Sequence, residues 1–410
     1  MEAIVEKAAG LDVHQASVVA CVLVGTASRK PQKEVRTFGT MTRDLLGLRE
    51  WLLGLGITHV GMESTGVYWK PVYAILEDDF ELIVGNARHI KNVPGRKTDV
   101  KDSEWIADLV RHGLIAKSFV PPKPIRELRD LTRYRTKLGQ AGSAERNRLL
   151  KLLEGANIKL SSVASDVFGV SGMAMLKGLL EGEASPSEMA QLAKGTLRKK
   201  LSELERALEG RVTANHRFLL QMQIRRIEQV EADLETLDQR IGELLEPYRR
   251  QHTSLLTIPG VSIILAAVII AELGVDMTVF HSKHHLAAWA GVCPGSNESA
   301  GKHKGKSSRK GNVHLRTALV QAATCAARAK ETYLRDKYFK LKAKRGAKRA
   351  AMAIGHKILD SVYEMLSTGQ SYQDLGGSYL DELDKKTIVA RMVRRFGKLG
   401  FDVQLLPKAA

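Results

Sequence analysis

The first hundred residues alternate between two kinds of segment, and this alternation constrains the fold more than any other feature of the chain. Three short runs rich in β-branched residues come first, around residues 11–13, 18–22 and 35–40, and they predict a β-meander. Two further runs, at residues 57–62 and 80–84, each follow a stretch with helical spacing of apolar residues. Strands that alternate with helices predict an α/β layer for this part of the chain.

Four acidic residues fall at special positions of the predicted layer. Asp12 lies in the first strand, Glu63 ends the fourth, and Asp99 and Asp102 stand three residues apart where a helix begins. Acidic residues at a helix start usually serve only as N-caps or as partners of the helix dipole. Asp102, however, falls on the same stripe as the apolar residues that follow it, which predicts that its side chain points toward the interior.

Acidic residues inside strands are costly unless something binds them. Two carboxylates about 4 Å apart repel each other by roughly 1 kcal/mol in water and about 4 kcal/mol at an effective dielectric of 20. Four converging acids therefore predict a bound divalent cation. Mg²⁺ is the natural choice, because it prefers oxygen ligands and is commonly shared between carboxylates and phosphates.

The charge balance favours a polyanionic partner. The 410 residues include 63 Lys and Arg against 45 Asp and Glu, a formal net charge of +18. Each cation placed on a phosphate releases counterions, so this excess favours nucleic acid over the alternative of a generally basic protein.

The cysteines and the apolar runs indicate the cellular compartment in which the protein folds. Cys21, Cys293 and Cys325 are widely spaced and odd in number, which supports neither a disulfide framework nor a zinc site and is typical of a reducing cytoplasm. The longest apolar run, at residues 263–271, is too short to span a bilayer. No membrane role is predicted.

The sequences around the four acids resemble those of a known family. They read Gly-Leu-Asp-Val-His at Asp12, Met-Glu-Ser-Thr-Gly-Val-Tyr-Trp at Glu63, and Lys-Thr-Asp-Val-Lys-Asp at Asp99 and Asp102. In this order they are similar to the RuvC-like, RNase H-fold domain of the DEDD transposases of insertion sequences, over about residues 8–150. The resemblance implies that the four acids coordinate Mg²⁺ at a DNA phosphate.

Four regions are predicted along the chain. They are a RuvC-like catalytic domain at residues 8–122, a helical and coiled-coil region at 123–250, a mainly α-helical C-terminal transposase domain at 251–370, and a tail at 371–410.

Two patterns characterise the predicted helical region. Leucines and isoleucines at steps of three, four or seven through residues 197–244 predict a coiled-coil-like seam, either a hairpin within the chain or a dimerisation arm. The basic helix at residues 125–154 favours contact with nucleic acid over a merely solvated face, and residues 155–186 resemble a connector or small insert.

Two features of the C-terminal domain predict contacts with DNA. The turn at Pro259 and Gly260 precedes an apolar helix and resembles a helix-hairpin-helix phosphate clamp, although Ser262 stands where a second glycine is expected. Residues 299–330 contain no acidic residue. Six of the cations in this stretch are predicted to bind phosphates: Lys302, Lys304, Lys306, Arg309, Lys310 and Arg316.

The resemblance also implies a nucleophile and a guide. In that family a serine after a Gly-x-x-Pro turn attacks DNA and forms a phosphoserine link, and a structured bridge RNA directs the reaction. The matching position is Ser299, which follows Gly-Val-Cys-Pro at residues 291–294. Because Ala300 separates it from Gly301, where an adjacent Ser-Gly is typical, three other serines stay open as alternatives. They are Ser296, Ser307 and Ser308.

The predicted function is therefore that of an insertion-sequence transposase, which cuts and exchanges strands of double-stranded donor and target DNA under the guidance of a structured RNA. Exchange of two duplexes requires several active sites, which predicts a homodimer or homotetramer in a bacterial or archaeal cytoplasm, associated with the nucleoid. Two alternatives stay open. One is a RuvC-like nuclease that resolves Holliday junctions with water, and the other is a catalytically inactive nucleic-acid-binding protein.

Overall fold

The computed structural model describes residues 3–94, 101–295 and 311–405, together with the backbone of residues 298–299 and 302–303. The chain divides into two compact units, Met1–Val120 and Pro121–Ala410. Each unit has its own apolar core.

The N-terminal unit is built on a mixed five-stranded sheet. Its strands lie in the order β3-β2-β1-β4-β5; β1, β2 and β3 form the predicted antiparallel meander, and β4 and β5 run parallel to β1. The predicted α/β layer is confirmed, and this sheet is compatible with an RNase H-like domain. The elements are β1 (Lys7–Val13), β2 (Ser17–Val24), β3 (Gln32–Gly39), α1 (Thr42–Gly54), β4 (His59–Glu63), α2 (Trp69–Leu76), β5 (Glu81–Gly85), α3 (Ala87–Asn92) and α4 (Asp102–Arg111).

Helices cover both faces of this sheet. Leu11 and Met62 pack with buried leucines of α1 and α2 on one face. On the other face α4 approaches so closely that a Cβ atom on Gly10 would lie 2.2 Å from the backbone N of Ala107, and a Cβ on Gly61 would lie 2.3 Å from Val110 Cγ2. Glycine is therefore required at both positions, and α4 lies directly on β1 and β4.

The C-terminal unit is almost entirely helical in its described part, apart from a short antiparallel pair of strands. Its elements are α5 (Lys123–Gly155), α6 (Leu160–Val163), α7 (Val170–Glu181), α8 (Pro186–Gln191), α9 (Leu201–Leu208), α10 (Ala214–Leu245), α11 (Arg249–Leu255), α12 (Ile263–Leu273), α13 (Lys283–Ala290), β6 (Glu298–Ser299), β7 (Lys302–His303), α14 (Val313–Ala326), α15 (Tyr333–Arg345), α16 (Ala347–Thr368), α17 (Tyr379–Leu383) and α18 (Lys385–Lys398).

The two longest helices, α5 and α10, pack along each other. Gly142 of α5 lets the two backbones approach at Val230, where a Cβ would meet Val230 Cγ1 at 2.9 Å. Arg135 of α5 also forms a two-pronged ion pair with Asp238 of α10. The apolar seam of α10 is therefore used within the chain, and its use as a dimerisation arm stays a prediction.

All six arginines on α5 make contacts within the unit. These contacts compete with phosphate binding most at Arg129, which is 14% exposed and pairs with the buried Glu272, and least at Arg148, which is 64% exposed. A nucleic-acid-binding face on this helix therefore stays a prediction. The contacts are those of Arg126 with Pro121 O, Arg129 and Arg133 with Glu272, Arg135 with Asp238, Arg146 with Glu231, and Arg148 with Glu145.

The segment predicted as a connector folds into short helices. Helices α6 to α9 pack with parts of α5 and α10 around the apolar core of this unit, which includes the fully buried Leu160, Leu176 and Leu204. These helices were hard to recognise because the shortest spans only four residues, too few to show a helical period.

Across the described ranges, no helix combines the length and the hydropathy that a bilayer span requires.

Candidate active site

Two of the predicted acids lie side by side at one end of the sheet. β1 and β4 are parallel neighbours, and Leu11 is in register with Met62, so Asp12 and Glu63 follow at the carboxyl ends of adjacent strands. Neighbouring strands are about 4.8 Å apart. Side chains two residues apart share a face of a sheet, and Gly10 and Gly61 both face α4. Asp12 and Glu63 therefore point to the face that carries α4.

The third described acid is brought to the same end of the sheet by α4. This helix runs against the direction of β1, because its last residue, Arg111, accepts hydrogen bonds from the backbone N of Ile4 and Val5 at 2.9 and 3.0 Å. Its first residue, Asp102, is therefore directed toward the carboxyl end of β1, where Asp12 lies. Three of the four predicted acids thus share one edge and one face.

The prediction that Asp102 points into the interior is wrong, since its side chain is exposed. The apolar stripe of α4 meets the sheet from Ser103 onward, where the carbonyl of Ser103 lies against Gly10. As the first residue of the helix, Asp102 precedes this contact and stays accessible to solvent. An exposed carboxylate at the same edge of the sheet as two half-buried ones is suited to a ligand that enters from solution.

Two residues that the sequence did not single out hold the carboxylates. His14 Nε2 lies 3.1 Å from Asp12 Oδ2, and the hydroxyl of Thr65 donates a hydrogen bond to Glu63. Both partners follow their acid by two residues, which is the spacing that keeps two side chains on one face of an extended chain. Contacts of this kind orient carboxylate ligands.

The described side chains fit Mg²⁺ by their chemistry, because carboxylate oxygens are the hard ligands that this ion prefers. Among the residues that the structure describes, no three acidic, histidine or cysteine side chains lie close enough to form a complete metal site. The fourth predicted ligand, Asp99, lies outside the described residues.

The predicted nucleophile lies on a short strand of the C-terminal unit. Ser299 of β6 pairs with Lys302 of β7 in an antiparallel ladder, and Arg316 lies half-buried on α14. The other predicted phosphate-binding residues and the alternative serines lie outside the described residues. These are Lys304, Lys306, Arg309, Lys310, Ser296, Ser307 and Ser308.

The segment that carries Ser299 is fixed at both ends. A Cβ atom on Gly311 would lie 2.3 Å from the backbone N of Gly291, so the two glycine backbones touch. The next residue, Asn312, donates its backbone N–H to Trp289 O at 3.3 Å. The residues on either side of the serine segment therefore meet at the end of α13.

A buried carboxylate reinforces this attachment, and it was not predicted. Glu272, near the end of α12, is fully buried and accepts two hydrogen bonds from Arg133 at 2.7 and 2.8 Å. It also accepts one from Asn312 Nδ2 at 2.6 Å, while the side-chain oxygen of Asn312 caps α14. The signal in the sequence was a lone acid at the end of the apolar run 263–271, a position that a charge occupies only with partners.

The electrostatics of this network favour the ionised form of Glu272. Burial alone would raise the pKa of Glu272, but the hydrogen bonds from Arg133 and Asn312 and the charge of Arg129 outweigh it and hold that pKa below its ordinary value. Burial lowers the pKa of Arg129 to about 10, so this side chain is still protonated at neutral pH.

Replacing Glu272 with alanine is expected to destabilise the protein by about 3 kcal/mol, because removal of one partner leaves buried charge unpaired. This value is at the lower end of the usual destabilisation for breaking a buried ion pair, since Arg133 is 33% exposed and can be partly hydrated. Urea denaturation measures the effect. Glu243→Ala is a matched control, because Glu243 is 51% exposed in its pair with Arg240 and should change stability little. Equal stability of the two variants would contradict the role assigned to Glu272.

The same network predicts a dependence of stability on pH. Since folding lowers the pKa of Glu272, its stabilising contribution is fully present above the ordinary value of 4.5 and is lost as the pH falls through the lower folded pKa. The stability difference between the wild type and Glu272→Gln should therefore shrink between neutral pH and pH values below that folded pKa. A difference that stays constant with pH would show that the carboxylate charge contributes nothing.

Gly260 has a packing role that needs no DNA. Its φ is +88°, and a Cβ atom there would lie 2.3 Å from Ala322 O of α14. The hydroxyl of Ser262, which replaces the expected second glycine, caps α12 by accepting a hydrogen bond from Leu265 N at 3.3 Å. Phosphate binding by Gly260 stays a prediction.

Comparison with known proteins finds two matching family models. A model of DEDD type described as "Transposase" matches residues 9–158, and one described as "Transposase IS116/IS110/IS902 family" matches residues 252–339. The transposase for insertion sequence element IS1111A of Coxiella burnetii is 31% identical over 121 residues, which are 28% of this chain and 33% of that protein. A protein of Sinorhizobium fredii described as a transposase, y4pF/y4sB, is 25% identical over 239 residues, 57% of this chain and 54% of that protein. The chain thus spans between a third and about half of the length of these relatives.

Proposed function

We propose that this chain, which belongs to the IS116/IS110/IS902 family of transposases, is a DNA transposase. It would cut and exchange strands of donor and target DNA. The observation that carries this proposal is the position of Asp12 and Glu63 at the carboxyl ends of adjacent parallel strands, with the start of α4 at Asp102 directed to the same edge.

The acids of the N-terminal unit are proposed to hold Mg²⁺ at the scissile phosphate, with Asp99 as the fourth ligand. When bound there, Mg²⁺ would stabilise negative charge that develops on the phosphate oxygens and would favour deprotonation of an attacking hydroxyl. The protein would contribute by orienting the metal ligands, because His14 and Thr65 fix the carboxylates of Asp12 and Glu63.

Ser299 is proposed as the nucleophile. Its Oγ would attack the phosphorus and form a phosphoserine bond, while the bond from phosphorus to the leaving deoxyribose oxygen breaks and that oxygen takes up a proton. A free hydroxyl of another strand would then attack the phosphoserine and release the serine. A serine hydroxyl is a weak nucleophile at neutral pH and needs a base or metal to activate it.

The cations near Ser299 are proposed to neutralise the phosphates of the bound strand. They are Lys302, Lys304, Lys306, Arg309, Lys310 and Arg316, with the backbone at Gly260 as a further contact. Their contribution predicts binding that weakens steeply as the salt concentration rises.

Guidance by a structured bridge RNA belongs to the same proposal, and the net charge of +18 supports it. The experiment is to purify the protein from cells without nuclease, sequence the RNA that stays bound, and test recombination of the DNA that this RNA complements. We expect one structured RNA to dominate and its complementary DNA to recombine. Recovery of no structured RNA would rule out the guided reaction.

Strand exchange between two duplexes is proposed to need a homodimer or homotetramer, with α10 as a candidate arm, in the cytoplasm near the nucleoid. Mass measurement with and without DNA tests the oligomer. A protein that stays monomeric on its DNA substrate would contradict this part.

A second candidate function uses the same acids. A RuvC-like nuclease that resolves Holliday junctions also needs a carboxylate site of this kind, but its nucleophile is water. The arrangement of Asp12, Glu63 and Asp102 suits both reactions, so the role of Ser299 separates them.

A further inference from the structure

The hairpin of α15 and α16 ends in an exposed cluster of cations. The α15 helix stops at Arg345, Gly346 takes a φ of +79°, and α16 starts at Ala347. Five exposed cations surround this turn, and we call them the basic tip: Lys342, Lys344, Arg345, Lys348 and Arg349.

No acid balances the basic tip. The sequence contains neither Asp nor Glu from Lys337 through Leu359. The nearby acids Asp336 and Asp381 both pair with Lys340, at 3.0 and 2.7 Å. Within the described part of the chain, none of the five cations forms an ion pair.

Helix stability does not account for the whole cluster. Cations at the C-terminus of α15, such as Lys344 and Arg345, complement the helix dipole. Lys348 and Arg349, in contrast, stand in the first turn of α16, where positive charge opposes the dipole. Their presence there indicates a partner that supplies negative charge.

An aromatic ring lies beside the basic tip. Phe339 is 44% exposed, and its ring is flanked by Arg335 Cζ at 5.3 Å and Lys342 Nζ at 5.6 Å from the ring centroid. Tyr333, one turn and a half earlier, is buried and stacks edge-on with Tyr379. Phe339 also meets the ring of Tyr338 edge-on, with the two ring centroids 5.4 Å apart, and it is the more accessible of Phe339 and Tyr333 to a ligand.

A ring among cations suits unpaired nucleic acid. A base can stack on an aromatic side chain while neighbouring phosphates pair with Lys and Arg. In a duplex the bases are already stacked on each other, so the phosphates can still bind the cations but the ring gains no base. The combination of ring and cations therefore selects a strand whose bases are free.

We propose that the basic tip and Phe339 bind single-stranded DNA, with phosphates on the five cations and one base on the ring of Phe339. The choice of DNA rests on the proposed function, because strand exchange opens a duplex and displaces a strand. The five cations lie beyond the segments that the family models match, and Phe339 is the last matched residue.

Binding of labelled 20-nucleotide strands, measured by fluorescence anisotropy in EDTA, tests the proposal. The combined variant Lys344→Gln, Arg345→Gln, Lys348→Gln and Arg349→Gln should bind single-stranded DNA more weakly. The slope of log Kd against log salt should fall by about 3, since each lost phosphate contact on a single strand contributes about 0.7. Phe339→Leu should weaken this binding about tenfold and leave duplex binding unchanged, and Phe339→Trp should preserve it.

A second set of cations gives a matched control. Four exposed residues outside the hairpin carry the same charge, and their combined change to glutamine should leave the affinity for single strands nearly intact. They are Lys194, Arg198, Lys199 and Arg211. The proposal would be overturned if this control lost as much affinity for single-stranded DNA as the basic-tip variant. It would also be overturned if Phe339→Leu weakened duplex and single-strand binding equally, or if the variants affected binding of single-stranded RNA alone. Because EDTA prevents metal-dependent cleavage, these results are independent of whether the protein cuts DNA.

Discussion

Replacing Asp12 with asparagine is expected to lower Mg²⁺-dependent cleavage of DNA by about 10³-fold, with Glu63→Gln equally severe. Metal ions contribute several kcal/mol of transition-state stabilisation, and about 4 kcal/mol corresponds to this factor. Asp12 and Glu63 lie at adjacent strand ends and face the same helix. On the proposed function, loss of either charge removes a metal ligand that no described neighbour replaces. Single-turnover cleavage of a labelled duplex, with Mg²⁺ titrated, measures the loss.

Two controls separate metal binding from damage to the fold. Thr65→Val removes only the hydroxyl that holds Glu63, and the expected loss is about 10- to 100-fold. Glu34→Gln removes an exposed carboxylate of the same unit that pairs with Arg36, and cleavage should stay normal. If alanine at Asp12, Glu63, Asp99 and Asp102 together left cleavage intact, the assignment of the acids would be wrong.

Changing Ser299 to alanine is expected to abolish covalent protein–DNA adducts while DNA binding persists. The hydroxyl is the only part of serine that can form the phosphoester, so the loss of adduct should be complete rather than graded. Denaturing gels that resolve protein linked to labelled DNA measure it. Ser296→Ala, Ser307→Ala and Ser308→Ala, made singly, are the matched controls and should retain the adduct.

The result also decides between the two candidate reactions. If Ser299→Ala still cuts a four-way junction and wild type never forms an adduct, the protein is a nuclease that uses water. If the adduct disappears from one of the control variants instead, that serine is the nucleophile. Adducts of normal yield in Ser299→Ala would end its candidacy.

The N-terminal unit could be predicted from sequence because its signals are local. Runs of β-branched residues predicted the five strands, and the predicted strand boundaries placed Asp12 and Glu63 near strand ends. The direction of the Asp102 side chain could not be predicted, because an apolar stripe does not reveal where the neighbouring sheet begins to make contact. Asp102 is exposed because it precedes the first residue of α4 that contacts the sheet.

The C-terminal unit resisted prediction because its important contacts join residues far apart in the chain. Arg133 and Glu272 are 139 residues apart, so nothing near α5 in the sequence shows that its arginines are engaged. A charged helical face has the same pattern whether its partners are phosphates or buried carboxylates. Only the lone acid at the end of an apolar helix hinted at the internal partner.

The contact between Gly291 and Gly311 separates folding from reaction in this part of the chain. The two residues meet in backbone contact, and Asn312 fastens its end to the buried Glu272, so the anchoring of the serine segment lies in residues that flank it. A substitution at Gly291, Gly311 or Glu272 is therefore expected to disturb folding, whereas loss of the Ser299 hydroxyl removes the proposed nucleophile and leaves this anchor in place.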